Sequence, residues 1–219
     1  MIDNQNDDFI KIKEGLIKKC QHFSIKSVVV RNIKKCNTMR GIVWELRKVF
    51  KKACIHKIIT SDLIEAYPND FAEFKIYSNC DVAEGFLLLS GDNKANASGD
   101  ATVVACDDSE INTYNGVSIC LIDNAKVNAF NRTSVEANDT SSVVAFDRAR
   151  VRALKNSKIE LHDKSSVFAV EDVYVDAYDN SIVKSFGNVT IKAHDNSTIV
   201  VYDSCNVEKI GNKVEVIKK

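Results

Sequence analysis

The sequence predicts a mainly β fold, a parallel β-solenoid of about eight two-strand, 16-residue coils that follows an N-terminal α-rich cap. Two observations predict the solenoid: an eight-residue repeat of fixed length, and an alternation between octads that carry a ring and octads that do not. Apolar residues at helical spacing predict the cap. The predicted domains are a basic capping region (1–85), the solenoid (86–213) and a charged tail (214–219).

The repeat runs from Phe86 to Lys213 as sixteen octads without an insertion. Clear copies are YVDAYDNS (174–181) and TIKAHDNS (190–197). The second position is Val, Ile, Leu or Ala in every octad and the fourth is small or aliphatic in fifteen, which is typical of strands with one buried face. Asp, Asn and Gly dominate the sixth and seventh positions and predict turns.

The fifth octad position indicates how many octads make one coil. In alternate octads it holds six consecutive rings, those of Tyr114, Phe130, Phe146, His162, Tyr178 and His194. In the other octads it is mixed and largely aliphatic. A coil of two octads is therefore predicted, with the six rings stacked as a structural ladder along one edge. A three-sided coil of about 24 residues is the alternative.

The third octad position is expected to point outward. In one set of octads it is apolar over the opening coils, and we interpret this side as a candidate partner face, formed by Leu88, Val104, Cys120, Phe168 and Val200. A contiguous apolar surface is normally covered, so we expect something to lie on it. The third position of the other octads is mostly polar, which predicts a solvated face.

The first part of the chain is basic, with 14 Lys/Arg against 5 Asp/Glu in residues 1–57. One helix is predicted over 8–22, and a second is predicted from a cap at Asn37 or Thr38 to about Ala53. The second helix supplies a candidate basic surface for nucleic acid or an acidic partner, formed by Arg40, Arg47, Lys48, Lys51 and Lys52.

Two further elements are predicted before the solenoid. A third helix begins at Ser61 or Asp62 and is ended by the single proline, Pro68. The segment SIKSVVV (24–30) is rich in β-branched residues and predicts a strand.

Candidate catalytic groups are few. The dipeptides His162-Asp163 and His194-Asp195 contain acid–base residue types, but each His occupies a ring position and each Asp a turn position, so structural roles are expected. A column of carboxylates at one-coil spacing is expected to cap the turns, with a cation ladder as the alternative: Asp147, Asp163, Asp179 and Asp195. We predict no catalytic residue, metal ligand or cofactor, and no enzyme activity.

The seven cysteines include no C-x-x-C motif and no pairing with His at zinc spacing. We therefore expect free thiols and a cytoplasmic location. No apolar run approaches the roughly 20 residues of a membrane span, so no membrane partner is expected.

The octads, in forms such as YVDAYDNS and TIKAHDNS, resemble the V-x-A-x-D-x-S repeat proteins of bacterial and phage genomes. The resemblance implies a parallel β-solenoid and no particular activity, because most of those proteins have no assigned function. A looser similarity links the repeat to the bactofilin-type solenoids that form polymers.

From these features we expect a non-enzymatic binding or scaffold protein that presents a rigid solenoid surface to a protein partner. Self-association is one form of this hypothesis, and a factor of a phage or mobile element that sequesters a host protein is another. The alternative is a nucleic-acid-associated protein that uses the basic N-terminal helix.

Overall fold

A computed structural model of the chain describes residues 2–219, with side chains described from Asp7 onward. It shows a parallel β-solenoid of about eight coils of 16 residues, preceded by a helical region, so the predicted fold class is confirmed. The chain forms two compact units, a helical unit that ends at Ser78 and includes 85–88, and a solenoid unit made of 79–84 and 89–219.

The helical unit contains six helices within the described chain. They are α1 (Ile2–His22), α2 (Ser27–Lys35), α3 (Met39–Arg47), α4 (Phe50–Ile55), α5 (Ser61–Ala66) and α6 (Pro68–Ala72). Two short strands, β1 (Ile76–Ser78) and β2 (Phe86–Leu89), pair in parallel through 76–78 and 86–88.

The prediction of a strand for SIKSVVV is wrong, because this segment runs into helix α2, which begins at Ser27. Val29, Val30 and Ile33 are buried on one face of this helix, at the spacing of three and four residues that a helix requires. Burial of that apolar face outweighs the modest preference of β-branched residues for strands.

The second predicted helix begins as expected and then breaks. The Thr38 hydroxyl caps α3 by accepting a hydrogen bond from the Gly41 amide, with Oγ1 and N 3.2 Å apart. The prediction of one continuous helix to Ala53 is wrong, because α3 ends at Arg47 and α4 begins at Phe50. Val49, between them, has a non-helical backbone (φ −130°, ψ 26°). The β-branched side chain of Val49 gives little support to a helical conformation there.

The third predicted helix is α5, which begins at Ser61 as predicted. Its cap is Thr60, whose Oγ1 lies 3.2 Å from the Leu63 amide nitrogen. Pro68 does not simply stop the helical structure but starts α6, where a missing amide hydrogen costs nothing.

The solenoid unit contains sixteen strands. They are β3 (Lys94–Ala97), β4 (Thr102–Ala105), β5 (Glu110–Thr113), β6 (Ser118–Leu121), β7 (Lys126–Ala129), β8 (Ser134–Ala137), β9 (Ser142–Ala145), β10 (Arg150–Leu154), β11 (Lys158–Leu161), β12 (Ser166–Val170), β13 (Tyr174–Ala177), β14 (Ile182–Phe186), β15 (Thr190–Ala193), β16 (Thr198–Val201), β17 (Asn206–Lys209) and β18 (Glu215–Lys218).

These strands form two parallel sheets, and successive strands along the chain alternate between them. The even-numbered strands β4 to β18 are called sheet A here, and the odd-numbered strands β3 to β17 are called sheet B. Each strand pairs with the one that begins 16 residues later, so that Val127 lies opposite Val143 and Val151 opposite Val167. The two-octad coil is therefore confirmed, and the three-sided alternative is wrong. Between β16 and β18 the offset is one residue longer, with Thr198 opposite Glu215.

The core of the solenoid lies between the two sheets and is lined by the second and fourth octad positions. Val135 and Ala137 of sheet A are buried, as are Val143 and Ala145 of sheet B. The fourth position is mostly alanine, which leaves little volume between the sheets. The odd positions of each strand therefore point outward, and they decide what each face offers to solvent.

The corners between strands use left-handed backbone at the sixth octad position. Asp147 and Asp163 have φ of 57°, and the same region is occupied by Lys155 (φ 59°) and Glu171 (φ 70°). Asp and Asn tolerate this conformation because their short side chains bond the local backbone, whereas Lys and Glu lack that advantage.

Candidate partner-binding face

The six rings of the predicted ladder stack on one another along sheet B. Their centroids are separated by 5.2, 4.9, 5.0, 5.1 and 4.3 Å in chain order, and their planes lie within 16° of parallel. Because each inner ring is stacked on both sides, its faces are occupied by its neighbours. The column is therefore a structural feature of the coil repeat.

The two His-Asp dipeptides are not assembled as acid–base pairs. The His162 ring lies between Phe146 and Tyr178, and its Nε2 is 2.7 Å from Glu160 Oε1. The carboxylate of Asp163 instead accepts a hydrogen bond from the Asp147 amide, with Oδ2 and N 3.0 Å apart. His162 thus contacts Glu160 on its own strand, while the adjacent Asp163 accepts a hydrogen bond from the backbone at the corner.

The predicted column of carboxylates caps the turns. Each Oδ2 accepts a hydrogen bond from the backbone amide of the residue one coil earlier, at N–O distances of 2.9 to 3.2 Å, in the column Asp147, Asp163, Asp179 and Asp195. Each carboxylate therefore has a backbone donor at its corner, as the turn-capping interpretation requires. Among residues 7–219, no group of three His, Cys, Asp or Glu side chains is arranged to hold a metal ion.

The candidate basic surface of the helical unit is engaged in contacts within that unit. Arg40 pairs with Glu73, and Lys48 Nζ lies 2.6 Å from Glu45 Oε1. Arg47 contacts the Phe86 ring, with its Cζ 4.7 Å from the ring centroid.

The other two lysines of that surface also have partners. Lys52 Nζ donates to the Ser24 carbonyl at 3.0 Å, and Lys51 is likewise engaged. Arg40, Lys48, Lys51 and Lys52 are nevertheless exposed, so the nucleic-acid alternative stays a prediction.

The candidate partner face is only partly exposed. Four of its five residues are buried, namely Leu88, Val104, Cys120 and Val200, so they cannot contact a partner from solution without rearrangement. The apolar positions of the opening coils are thus covered within the chain itself, as the sequence led us to expect. Phe168 is the exception, because 39% of its surface is exposed.

The structure adds exposed apolar neighbours to Phe168. Ile182 and Phe186, on the adjacent strand β14, are 40% and 36% exposed. The Phe168 and Phe186 ring centroids are 5.3 Å apart, and Phe186 stacks on Tyr202 at 4.5 Å with planes 5° apart. We call Phe168, Ile182, Phe186 and Tyr202 the apolar patch. All four occupy outward positions of sheet A.

A row of arginines borders the apolar patch. Arg148, Arg150 and Arg152 alternate along one coil, the first at the corner and the other two on β10, and all three are exposed. We call these three residues the arginine row. Strand pairing places Arg152 beside Phe168, and Phe168 beside Lys184. In the chain from residue 7 onward, the side chains of the arginine row and of Lys184 form no hydrogen bond or ion pair.

Sheet B differs because its outward polar groups satisfy one another. Asn112 and Asn128 each donate to the asparagine one coil earlier, at 3.1 and 3.0 Å. Glu110 Oε2 lies 2.6 Å from Lys94 Nζ, and this hydrogen bond lowers the pKa of the Glu110 carboxyl and raises the pKa of the Lys94 ammonium. Sheet A, in contrast, carries exposed apolar side chains beside cations that have no partner in the part of the chain that the structure describes.

The corner next to the arginine row forms an open groove of about 440 Å³. Its lining combines the turn-capping carboxylates with outward cations: Asn131, Arg132, Asp147, Arg148, Asp163, Lys164, Asp179 and Asn180. Arg148 thus belongs to both the groove and the arginine row, and the groove itself mixes cations with the carboxylates of Asp147, Asp163 and Asp179.

Comparison of the chain with family models, with curated proteins and with solved structures found no match. The resemblance of the octads to V-x-A-x-D-x-S repeat proteins and to bactofilin-type solenoids therefore stays a prediction. Within residues 2–219, no helix combines the length and the apolar character that crossing a bilayer requires.

Sequence reasoning identified Phe168 but missed the rest of the apolar patch and the arginine row. The signal was present, because Ile182 occupies a first octad position that is Ser or Thr in several other octads of the same set. Arg150 likewise interrupts a column of small residues, and Arg152 follows Glu136 in a column that is apolar as far as Cys120. Which of these side chains would be exposed depends on neighbouring strands, and the repeat does not encode that directly.

Proposed function

We propose that the protein is a non-enzymatic binding scaffold, and that its solenoid holds a protein partner at the outward face of sheet A. The observation that carries the proposal is the apolar patch, in which three large apolar side chains are exposed together on β12 and β14. Contiguous exposed apolar surface is uncommon on proteins that act alone and marks interaction sites.

The composition of the face supports a protein partner. Interface centres are enriched in aromatic residues and arginine and depleted of acidic residues. The apolar patch and the arginine row contain three aromatic rings and three arginines, with no acidic side chain among them.

The rigidity of the face supports the same proposal. Phe186 is held between Phe168 and Tyr202, and its strand β14 is paired on both sides. A side chain that is already ordered loses little conformational entropy when a partner binds. The free energy of binding that comes from burying apolar surface is therefore reduced little by ordering of these side chains.

The non-enzymatic part of the proposal rests on the titratable groups. His162 and His194 are stacked within the ring ladder, and the neighbouring carboxylates accept backbone hydrogen bonds. Groups used in this way are constrained by the coil repeat and are not gathered around a space for a substrate.

Affinity capture from the native host, compared between wild type and the double variant Phe168→Thr/Ile182→Thr, tests the proposal. Threonine keeps the β-branched shape that strands favour while it removes most of the exposed apolar surface. We expect the wild type to retain a specific protein partner and the double variant to bind it about tenfold more weakly. The exposed two fifths of each side chain accounts for about 0.6–1.2 kcal/mol of the roughly 1.5–3 kcal/mol of complete burial.

The matched control is Val144→Thr, which changes an outward apolar residue on sheet B. It is expected to retain the partner fully. Equal retention by wild type and the double variant contradicts the proposal, and so does equal loss in the control. Circular dichroism of all three proteins establishes that the solenoid remains folded.

A further inference from the structure

The arginine row lies in register with the apolar patch. Arg150 and Arg152 are two residues apart on β10, so their side chains leave the same face about 6.6 Å from one another. The parallel pairing places Arg150 in line with Ser166 and then with Ile182 on β14. Two strand spacings, about 9.6 Å, therefore separate the cations from the centre of the apolar patch.

The charge of this face is positive on balance. Arg150, Arg152 and Lys184 are exposed and unpaired, as described above, whereas Glu136 on β8 is the carboxylate that strand pairing places beside Arg152. Closely spaced like charges repel one another, and an anion placed between them relieves that repulsion. Guanidinium groups suit planar carboxylates in particular, since they can donate two parallel hydrogen bonds.

The apolar patch argues against nucleic acid as the occupant. Proteins that bind single strands stack bases on open ring faces. Here the Phe186 ring is stacked on Tyr202 with planes 5° apart, and its other side meets Phe168. Ile182 has no ring to offer. What the patch exposes is the Ile182 side chain and the parts of the two phenylalanine rings that their neighbours leave uncovered, which suit apolar side chains.

A second copy of the chain is disfavoured by charge. A two-fold dimer through this face would bring two identical surfaces together. Such a dimer would concentrate the outward cations Arg150, Arg152 and Lys184 of both copies at one interface, and like charges across an interface oppose association. The occupant should instead be a protein of opposite charge.

We infer, on the basis of the proposed function, that the partner presents an acidic segment that also carries large apolar residues. Its carboxylates bind the arginine row and its apolar side chains cover Phe168, Ile182 and Phe186. An extended chain rises about 3.3 Å per residue, so a segment that crosses the strands needs about three residues between its carboxylates and its apolar anchor. The face therefore suits a segment in which an acidic group and an apolar group are about three residues apart.

The experiment uses the full chain and four fluorescein-labelled 12-residue peptides in fluorescence anisotropy. The first peptide joins a glutamate cluster to leucine and phenylalanine. The second keeps the glutamates and replaces the apolar residues by serine, the third replaces the glutamates by lysine, and the fourth replaces them by glutamine. A 12-nucleotide oligothymidylate is the fifth probe.

We expect the first peptide to bind at least about tenfold more tightly than the other probes. Its affinity should fall when the salt concentration is raised about tenfold, from roughly 50 to roughly 500 mM. Arg150→Glu/Arg152→Glu is expected to weaken it at least about tenfold, because attraction becomes repulsion. The matched control is Lys158→Glu, an exposed lysine on sheet B, and it is expected to bind the peptide like the wild type.

Each other outcome overturns the inference in a distinguishable way. Equal binding of the glutamate and glutamine peptides, lost in Phe168→Thr/Ile182→Thr but not in the arginine variant, leaves the proposed function standing and removes the acidic partner. Preference for oligothymidylate identifies a nucleic-acid surface. Absence of binding by all five probes overturns the acidic segment, while the capture experiment still decides the proposed function separately.

Discussion

Replacing Phe146 by leucine removes two ring contacts from the middle of the ladder. The Phe146 centroid lies 4.9 Å from that of Phe130 and 5.0 Å from that of His162. Each stacked pair contributes about 0.5–1.5 kcal/mol beyond the area that it buries, so the variant is expected to lose about 1–3 kcal/mol of unfolding free energy. Leucine occurs naturally at this octad position, as Leu154, and it retains most of the aliphatic contact.

The matched change is Tyr114→Leu at the start of the ladder. Tyr114 stacks on Phe130 alone, at 5.2 Å, because Ser98 occupies the equivalent position one coil earlier. This variant is expected to lose about half as much, roughly 0.5–1.5 kcal/mol. Equilibrium unfolding in guanidinium chloride, followed by circular dichroism, measures both. Equal losses in the two variants, or no loss for Phe146→Leu, would refute stacking as a source of stability.

Three further changes test the corners and an ion pair. Asp163→Ala removes a turn cap at left-handed backbone and should cost about 1–3 kcal/mol in chemical denaturation, whereas Asp163→Asn should be nearly neutral. Glu171→Asn should instead stabilise by about 0.5–1 kcal/mol, and unchanged or lower stability would contradict strain at φ 70°.

Glu110 should titrate below the ordinary glutamate range by NMR and return towards it in Lys94→Met. Because its folded-state pKa is lowered, its contribution to stability is present above the unfolded pKa and is lost as pH falls through the folded one.

Much of the solenoid was predictable because one repeat constrains it at every level. The octad length specifies which residues face inward, and the ring column specifies which octads lie above one another. Phe130 therefore had to meet Tyr114 and Phe146 once two octads formed one coil. The turn role of Asp147 followed in the same way from its position, and the structure supplies the bond to the Asn131 amide that explains it.

The helical unit was less predictable because no repeat constrains it. The run Val28, Val29 and Val30 favours a strand locally, yet Val29 and Val30 are buried with Ile33 on one helical face. The break at Val49 has no glycine or proline to announce it. In both segments the packing of apolar faces decides the outcome, and that packing involves residues distant in sequence.

The candidate site lies between these two cases. The outward direction of Phe168 was predictable from octad position, and a cover over Val104 and Cys120 was expected, but the exposure of Ile182 and Phe186 beside Phe168 was not. The arginine row could be seen only as an interruption of its column, since its meaning depends on Ile182 and Phe186, which lie 30 or more residues farther along the chain and two strands away from β10. The arginine row and the apolar patch lie next to one another only once the coils are stacked.

The constant offset of 16 residues has a consequence for how such a chain can change in length. Duplicating or deleting a whole coil, such as 126–141, leaves every remaining side chain on its original side and joins identical edges. A change of eight residues would transfer the following octads to the opposite sheet and interrupt the column of rings. A single inserted residue within a strand would exchange interior and exterior. Growth and shortening by complete coils is thus the natural mode of variation for this architecture.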